Sequence, residues 1–244
     1  MRRFRLLRLA SMMPGCFLAA FAGAQEFAPE PTTGEVIARM SEADRMRAPL
    51  LQNYTSLRRY TLENKRLRLR ASMTVRLSFR SPGRKEFAVI EQTGSSQIRK
   101  RVFRRMLDSE MEASSDDQRE ATAITPRNYS FRLLGVETLD GRKNYVIDAQ
   151  PNSANRFLFR GRVWVDAEDF AITRIEGAPA KNPSFWVKKT SFVHRYSKHG
   201  PFWMALSNTS ETDVHVAGHT VVRIEYSDYR INRETSGGEV TPDQ

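Results

Sequence analysis

Leu67, Leu69, Ala71, Met73, Val75, Leu77 and Phe79 occupy every second position of one stretch, with Arg68, Arg70, Ser72, Thr74, Arg76 and Ser78 between them. Side chains of a strand point alternately to its two faces, so a period of two predicts a long strand with one dry and one wet face. Ser81-Pro82-Gly83 turns the chain and 85–92 returns as a partner, while 54–63 precedes both as a strand of weaker alternation. From Tyr129 the same signals recur as a meander, with strands predicted at 130–138, 143–150, 156–166, 170–177, 184–196, 202–213 and 219–231. Turn formers stand between them: Asp140-Gly141, the acidic run 166–169, His199-Gly200-Pro201 and Ala217-Gly218.

Two segments change period. After Gly34, the residues Val36, Ile37, Met40 and Ala43, with Leu50 or Leu51, fall at helical spacing, Thr33 is placed to cap them and Glu35 sits in the first turn. Between Ser95 and Glu112, the residues Ile98, Val102, Phe103, Met106, Leu107 and Met111 trace one helical face, and Arg99, Lys100, Arg101, Arg104 and Arg105 occupy the other. The polar run 114–120 ends this helix, and a loop or short helical piece leads to Asn128.

Within the meander, Phe157, Phe159, Val163 and Val165 share one strand face, as do Phe202, Met204 and Leu206, and Val222, Ile224 and Tyr226. About ten strands therefore present one apolar side, and two amphipathic helices are available to cover it. A sheet of that size curls. Its hollow is then either a packed core or a core with a cavity that accepts an apolar chain, and alternation alone leaves both open.

The N-terminus alters the context. Arg2, Arg3, Arg5 and Arg8 precede the apolar stretch 9–21, and Ala22-Gly23-Ala24 stands before Gln25, which reads as a secretory signal over 1–24. The stretch is interrupted by Pro14 and Gly15 and falls short of the about 20 apolar residues of a spanning helix. No later segment reaches that length, so a soluble mature chain is expected. The Pro-rich 25–33 reads as a linker, 34–232 as one domain and the polar 233–244 as a disordered tail. The one cysteine, Cys16, lies inside the leader, and Met13-Pro14-Gly15-Cys16 offers a weaker alternative of lipid anchoring there. Cleavage after Ala24 removes it, and disulfides, thiolate ligands and cysteine nucleophiles with it.

The leader arginines carry +4 of the formal +11, so the mature chain is left at +7. A basic surface outside the cytoplasm favours lipid headgroups, acidic glycans or other anionic partners, and nucleic acid is not expected. His215 and His219 flank a turn, but no third ligand accompanies them and no metal or other cofactor is expected. Asp116-Asp117 and the trio Asp166, Glu168 and Asp169 read as solvated turn residues rather than paired catalytic carboxylates. Neither a nucleophile elbow nor a phosphate-binding glycine loop is present, and no catalytic residue is assigned.

The run 140–147 (DGRKNYVI), followed by 161–166 (GRVWVD) and 170–177 (FAITRIEG), resembles the outer-membrane lipoprotein-sorting proteins of the superfamily of the periplasmic lipoprotein carrier LolA and its receptor LolB. More loosely, the resemblance spans 34–232. It implies a mostly β (α+β) fold: a curved antiparallel incomplete β-barrel, or half-barrel, whose helices form a lid over a concave apolar face that receives acyl chains. It also implies an arginine on an early strand that holds the lid closed; Arg58, Arg59 or neither takes that place.

The expected function is a periplasmic, non-catalytic carrier or binding protein for lipids or lipoprotein acyl chains, in lipoprotein sorting or envelope lipid transport. The alternative is a sensor or regulatory module of the same fold that binds a membrane protein. Alternation nominates Leu69, Met73, Leu77, Phe103, Phe159 and Val165 as pocket-lining residues. The basic helix face, with Arg101, Arg104 and Arg105, is a candidate for docking an anionic membrane surface or an inner- or outer-membrane protein.

Overall fold

The computed structural model describes residues 30–98, 102–113, 116–155, 157–181, 187–215 and 218–233. The chain divides into two units, Met1–Glu30 and Pro31–Gln244, and every described helix and strand belongs to the second. The expected leader, most of the linker, Cys16 and the tail beyond 233 lie outside the described residues.

Helix α1 (Thr33–Arg47) begins one residue before its expected start, because Thr32, not Thr33, is its cap. Thr32 Oγ1 accepts from the Glu35 amide at 3.3 Å and the Glu35 carboxylate accepts from the Thr32 amide at 2.7 Å. Two donors of the first turn, which have no partner inside a helix, are thereby satisfied. Thr33 instead ties the helix to the sheet, its Oγ1 accepting from the Leu133 amide at 3.0 Å. At the other end Arg47 donates to the carbonyls of Asp169 and Phe170.

Ten strands follow: β1 (Asn53–Asn64), β2 (Leu69–Arg80), β3 (Arg84–Gln92), β4 (Tyr129–Leu139), β5 (Arg142–Pro151), β6 (Phe159–Asp166), β7 (Ile172–Pro179), β8 (Val187–His199), β9 (Phe202–Val214) and β10 (Gly218–Ile231). They form one antiparallel sheet in the order β3-β2-β1-β10-β9-β8-β7-β6-β5-β4. β3 and β4 are its edges, so the sheet is open, in agreement with the expected incomplete barrel. The first and last strands meet in its middle, where Tyr60 pairs with Ile224.

One lateral row crosses all ten strands: Gln92, Met73, Tyr60, Ile224, Asn208, His194, Ile175, Val163, Ile147 and Leu133, each paired with the next. Directly paired residues point to the same face, so this row marks one side of the sheet, termed the inner face. Both helical covers lie on it. Val36, Ile37 and Met40 of α1 pack with Ile147, Val163, Val165 and Ile175 in one cluster. Ile98, Val102, Phe103, Met106 and Leu107 pack with Tyr60, Leu62, Met73, Val75 and Ile224 in another.

The single helix expected over 95–112 is present as α2 (Ser96–Ile98), a π-type turn at Val102 and Phe103, and α3 (Arg104–Ala113), with 99–101 outside the described residues. α4 (Asp116–Thr122) follows. This helical segment joins the two edge strands across the inner face.

The motifs of the family resemblance form one interlocked group. Arg142, just after the turn at Asp140 and Gly141, forks onto Asp166 with Nε to Oδ2 at 2.6 Å and Nη2 to Oδ1 at 2.8 Å. Asp166 Oδ1 also accepts from the amides of Glu168 and Asp169. Asp166 is therefore a buried anchor, 1% exposed, and not the solvated turn residue expected. Beside it Trp164 Nε1 donates to Glu137 at 2.8 Å and Thr173 Oγ1 to Asn144 at 2.6 Å, which ties β6 to β4 and β7 to β5.

Candidate functional site

The inner face is not uniformly apolar. Between its two clusters, β1, β10, β9 and β8 carry polar inward residues. β1 presents Ser56, Arg58 and Tyr60 in succession, the alternate residues of one strand face. Their neighbours across the row are Asn208 and His194, and beyond Leu62 the next inward position is Asn64, whose amide donates to Thr220 Oγ1 at 2.7 Å. A further pair, Thr190 and Thr212, brings its hydroxyls to 3.3 Å on β8 and β9.

Arg58 is the centre of this belt. Only 5% exposed, it places its guanidinium 5.0 Å from the centroid of the Tyr226 ring and 5.6 Å from that of Phe87. Its Nη1 donates to Glu110 Oε2 at 2.5 Å, and the other carboxylate oxygen of Glu110 accepts from Lys85 Nζ at 3.0 Å. Glu110 belongs to α3, so a buried cation of the sheet and a cation of the edge strand β3 together hold the helical cover. Arg59 points to the opposite, exposed side. Burial opposes the charge of Glu110, but Arg58 first and Lys85 second keep its carboxyl below the usual range. Burial likewise opposes the Arg58 charge, and Glu110 more than offsets it, so the guanidinium holds its proton more tightly than usual.

Four phenols surround the pair. Burial pushes the pKa values of Tyr54, Tyr60, Tyr226 and Tyr229 up, with Arg58 working in the other direction. Among the described residues, Ser56 Oγ, Tyr60 Oη, Arg58 Nε and Asn208 Oδ1 are buried and have no hydrogen-bond partner. A buried polar group without a partner costs about 1–3 kcal/mol, so four in one belt is a departure from ordinary core construction.

His194 shares the belt, its ring 5.1 Å from that of Phe192. Burial alone pushes its pKa down to about 4. An unfolded chain takes up this proton near pH 6.5 and the folded one does not, so stability is fully present above that pH. It falls with pH until the folded imidazole also titrates near 4. The difference amounts to at most about 3 kcal/mol. Urea unfolding at pH 7 and pH 5 is expected to show most of this loss in the wild type and little in His194→Gln; equal losses would place the sensitivity elsewhere.

Hollows border these elements. A cavity of 710 Å³ lies between α3 and the β2–β3 hairpin, lined by Met73, Phe87, Val89, Leu107 and Met111, with Lys85, Glu86, Arg104 and Asp108 at its rim. A second, of 420 Å³, lies between the end of α1 and β7–β9, among Met40, Ile175, Tyr196, Phe202 and Met204. A third, of 660 Å³, is edged by Arg80, Arg84, Arg230 and Arg233.

The structure divides the six residues nominated as pocket lining. Met73 faces the 710 Å³ cavity. Phe103 packs beneath the cover in the same cluster, with Leu69 at its margin. Leu77 is fully buried and pairs with Ser56 and Phe87. Phe159 and Val165 belong to the other cluster, under α1. One pocket shared by all six is not what the fold builds, because the two clusters lie on opposite wings of the sheet. Of the basic helix face, Arg104 and Arg105 are exposed and Arg101 lies outside the described residues. Leu206, expected to share a face with Phe202 and Met204, is 46% exposed, because a register shift near Tyr196 resets the alternation of β9.

No protein-family model matches the chain, and no curated protein does. Among solved structures 34 chains match. One is a DUF1329 family protein from Desulfovibrio piger, with 13% identity, TM-score 0.47 and coverage of 85% of this chain and 96% of that one. Another is a putative outer membrane lipoprotein-sorting protein domain from Vibrio parahaemolyticus, with 13% identity, TM-score 0.43 and coverage of 84% and 94%. A LolA superfamily protein from Nitrosomonas europaea has 12% identity, TM-score 0.36 and coverage of 84% and 96%.

Proposed function

We propose that the protein is a periplasmic, non-catalytic carrier or binding protein for lipids or lipoprotein acyl chains. The observation that carries this reading is the 710 Å³ cavity between α3 and the β2–β3 hairpin, which opens to solvent beside Val89 and Met111, is lined by apolar side chains from both elements, and lies next to the anchoring of α3 by Glu110 on Arg58 and Lys85. Its volume is that of a small-molecule site. Each methylene taken out of water there contributes about 0.8 kcal/mol, so an acyl chain supplies its own driving force. In this reading Arg58, buried and paired with Glu110 of α3, takes the lid-holding part, and the exposed Arg59 does not. The exposed Arg104 and Arg105 suit contact with an anionic bilayer, and reversing their charge is expected to weaken binding to anionic liposomes.

Native mass spectrometry of the protein purified from a bacterial periplasm, with lipid extraction, tests the carrier reading. A defined co-purifying lipid or acyl peptide supports it. A protein that is empty and takes up no fluorescent fatty acid overturns it.

A second reading, an envelope sensor or regulatory module that binds a membrane protein, has one observation in its favour. Both sheet edges carry exposed apolar residues, Val89 and Ile90 on β3 and Leu134 and Val136 on β4. Open edges of this kind accept a strand from a partner.

A further inference from the structure

We propose that Ser56, Arg58 and Tyr60 form a head-group subsite for the carboxylate of a single-chain amphiphile, and that Glu110 is the built-in occupant which that carboxylate displaces. The inference rests on the carrier reading and adds what the cargo's polar end must be.

The first ground is what already sits on Arg58. The group there is a carboxylate, one oxygen on Nη1 at 2.5 Å and the other on Lys85 Nζ at 3.0 Å. A site that fits the end of a glutamate side chain fits the end of a fatty acid, which is the same functional group on a longer stem. Guanidinium recognises carboxylates through charge-assisted bonds that neutral heads cannot make.

The second ground is independent of Glu110. Ser56, Arg58 and Tyr60 are 2%, 5% and 1% exposed, stand on one strand face, and leave Oγ, Nε and Oη without partners among the described residues. All three can donate a hydrogen bond, and an ionised carboxylate is acceptor only, with room for about four bonds. Glu110, arriving from α3, takes Nη1 and leaves Nε unpartnered. A free carboxylate is not bound to a helix backbone, and in the place of Glu110 it can take Nε together with an Nη, the bidentate geometry that Glu110 leaves half used, with the hydroxyls of Ser56 and Tyr60 on either side along the strand.

The third ground is continuity with the apolar cavity. Lys85 both bonds Glu110 and lines the 710 Å³ cavity, and Met73, on its floor, pairs with Tyr60. A chain lying along Met73, Phe87 and Leu107 therefore ends beside Lys85, one carboxylate away from Arg58. Two acids at the cavity rim, Glu86 and Asp108, oppose an anion, but Glu86 is already paired with Arg84 at 2.8 Å. Displacement releases Glu110 from Arg58 and with it α3, so loading with acid and opening of the cover are coupled through one cation.

The test compares heads on a constant chain. Oleic acid, methyl oleate and oleyl phosphate are titrated against the full mature protein by calorimetry, in the wild type and in Glu110→Gln and Arg58→Lys. Oleate is expected to bind about tenfold or more tightly than methyl oleate. Glu110→Gln is expected to tighten oleate severalfold and leave the ester unchanged, since only the acid competes with residue 110. Equal affinities of acid and ester overturn the subsite while leaving the carrier reading in place. So does a gain in Glu110→Gln shared by both ligands, which reports only a loosened cover. Tighter binding of oleyl phosphate overturns the carboxylate assignment. Uptake of none of the three overturns the carrier reading and this inference together. The wild-type comparison by itself decides between acid and ester, so the subsite stays falsifiable even where a variant fails to fold.

Discussion

Glu110→Ala is expected to destabilise the domain by about 3 kcal/mol, more than removal of its partner does. The two ends of the ion pair are not alike. The Arg58 side chain is 6% exposed and that of Glu110 is 27%. Deleting the acid leaves a guanidinium among Phe87, Tyr226 and Tyr60 with no counter-charge, and a buried unpaired charge is among the most costly defects a core can hold. Deleting the base, as in Arg58→Met, leaves Glu110 partly in water and still on Lys85, and fills the guanidinium's place with apolar atoms. Its cost is expected near 1 kcal/mol. The double variant Arg58→Met with Glu110→Met should lie close to the wild type, as apolar replacements of buried pairs often do. Denaturant unfolding of the wild type, Arg58→Met, Glu110→Met and the double variant gives the cycle, with Glu110→Ala beside it; single variants of equal cost would show that the pair is not buried in any energetic sense. Because α3 is the element that Glu110 anchors, amide exchange over Arg104–Ala113 should rise in Glu110→Ala before the sheet loosens.

Gly161→Ala is expected to cost about 3 kcal/mol or more and to leave Gly34→Ala far behind. Gly161 on β6 faces Gly177 on β7 across the ladder. A β-carbon at 161 would lie 2.0 Å from the Glu176 carbonyl oxygen and 2.6 Å from the Gly177 α-carbon. Those are backbone atoms fixed by strand pairing, so the strands must separate or the ladder must break. The two glycines let β6 and β7 approach in the row where Ala149 and Phe192 are their neighbours. At Gly34, in the first turn of α1, nothing lies within 4 Å of the added methyl. Alanine there reduces the freedom of the unfolded chain and is expected to stabilise by up to about 1 kcal/mol. Thermal melts of the two variants should move in opposite directions.

Most of the sheet could be read from residue order, because one wetted and one dry face impose a period of two on β2 and on the meander. What alternation conceals is the polar belt. The inward positions of β1 are Tyr54, Ser56, Arg58, Tyr60, Leu62 and Asn64, and a search for apolar residues at every second place finds only a weak strand there. That weakness is itself a signal: a strand in the middle of the sheet with polar inward residues has something polar to meet. Arg58 and Arg59 could not be told apart without a register, since one place along a strand exchanges the two faces. The division of the inner face into two clusters was beyond reach for another reason. It depends on β1 pairing with β10, a contact between chain ends that no local pattern encodes, and on Glu110 reaching 52 residues back to Arg58. The cap at Thr32 rather than Thr33 is a smaller case, in which either hydroxyl suits the position and the reciprocal bond from Glu35 decides.

The meeting of the first and last strands in the middle of the sheet sets an order of events during synthesis. Every other strand pairing joins neighbours in sequence, so β1 to β3 and β4 to β10 can each assemble as their residues emerge. The seam between them is different: Thr61 and Arg223 are 162 residues apart. Closing a loop of that length costs about 3 kcal/mol more than closing a short hairpin. Until β10 is complete, β1 exposes an unpaired edge in the middle of what will be the sheet. The domain should therefore show a slow final phase whose rate responds to substitutions at the seam, while the two halves form early and independently. A chain shortened before Gly218 would keep its two halves and lose their union, leaving two open edges that invite association with other copies.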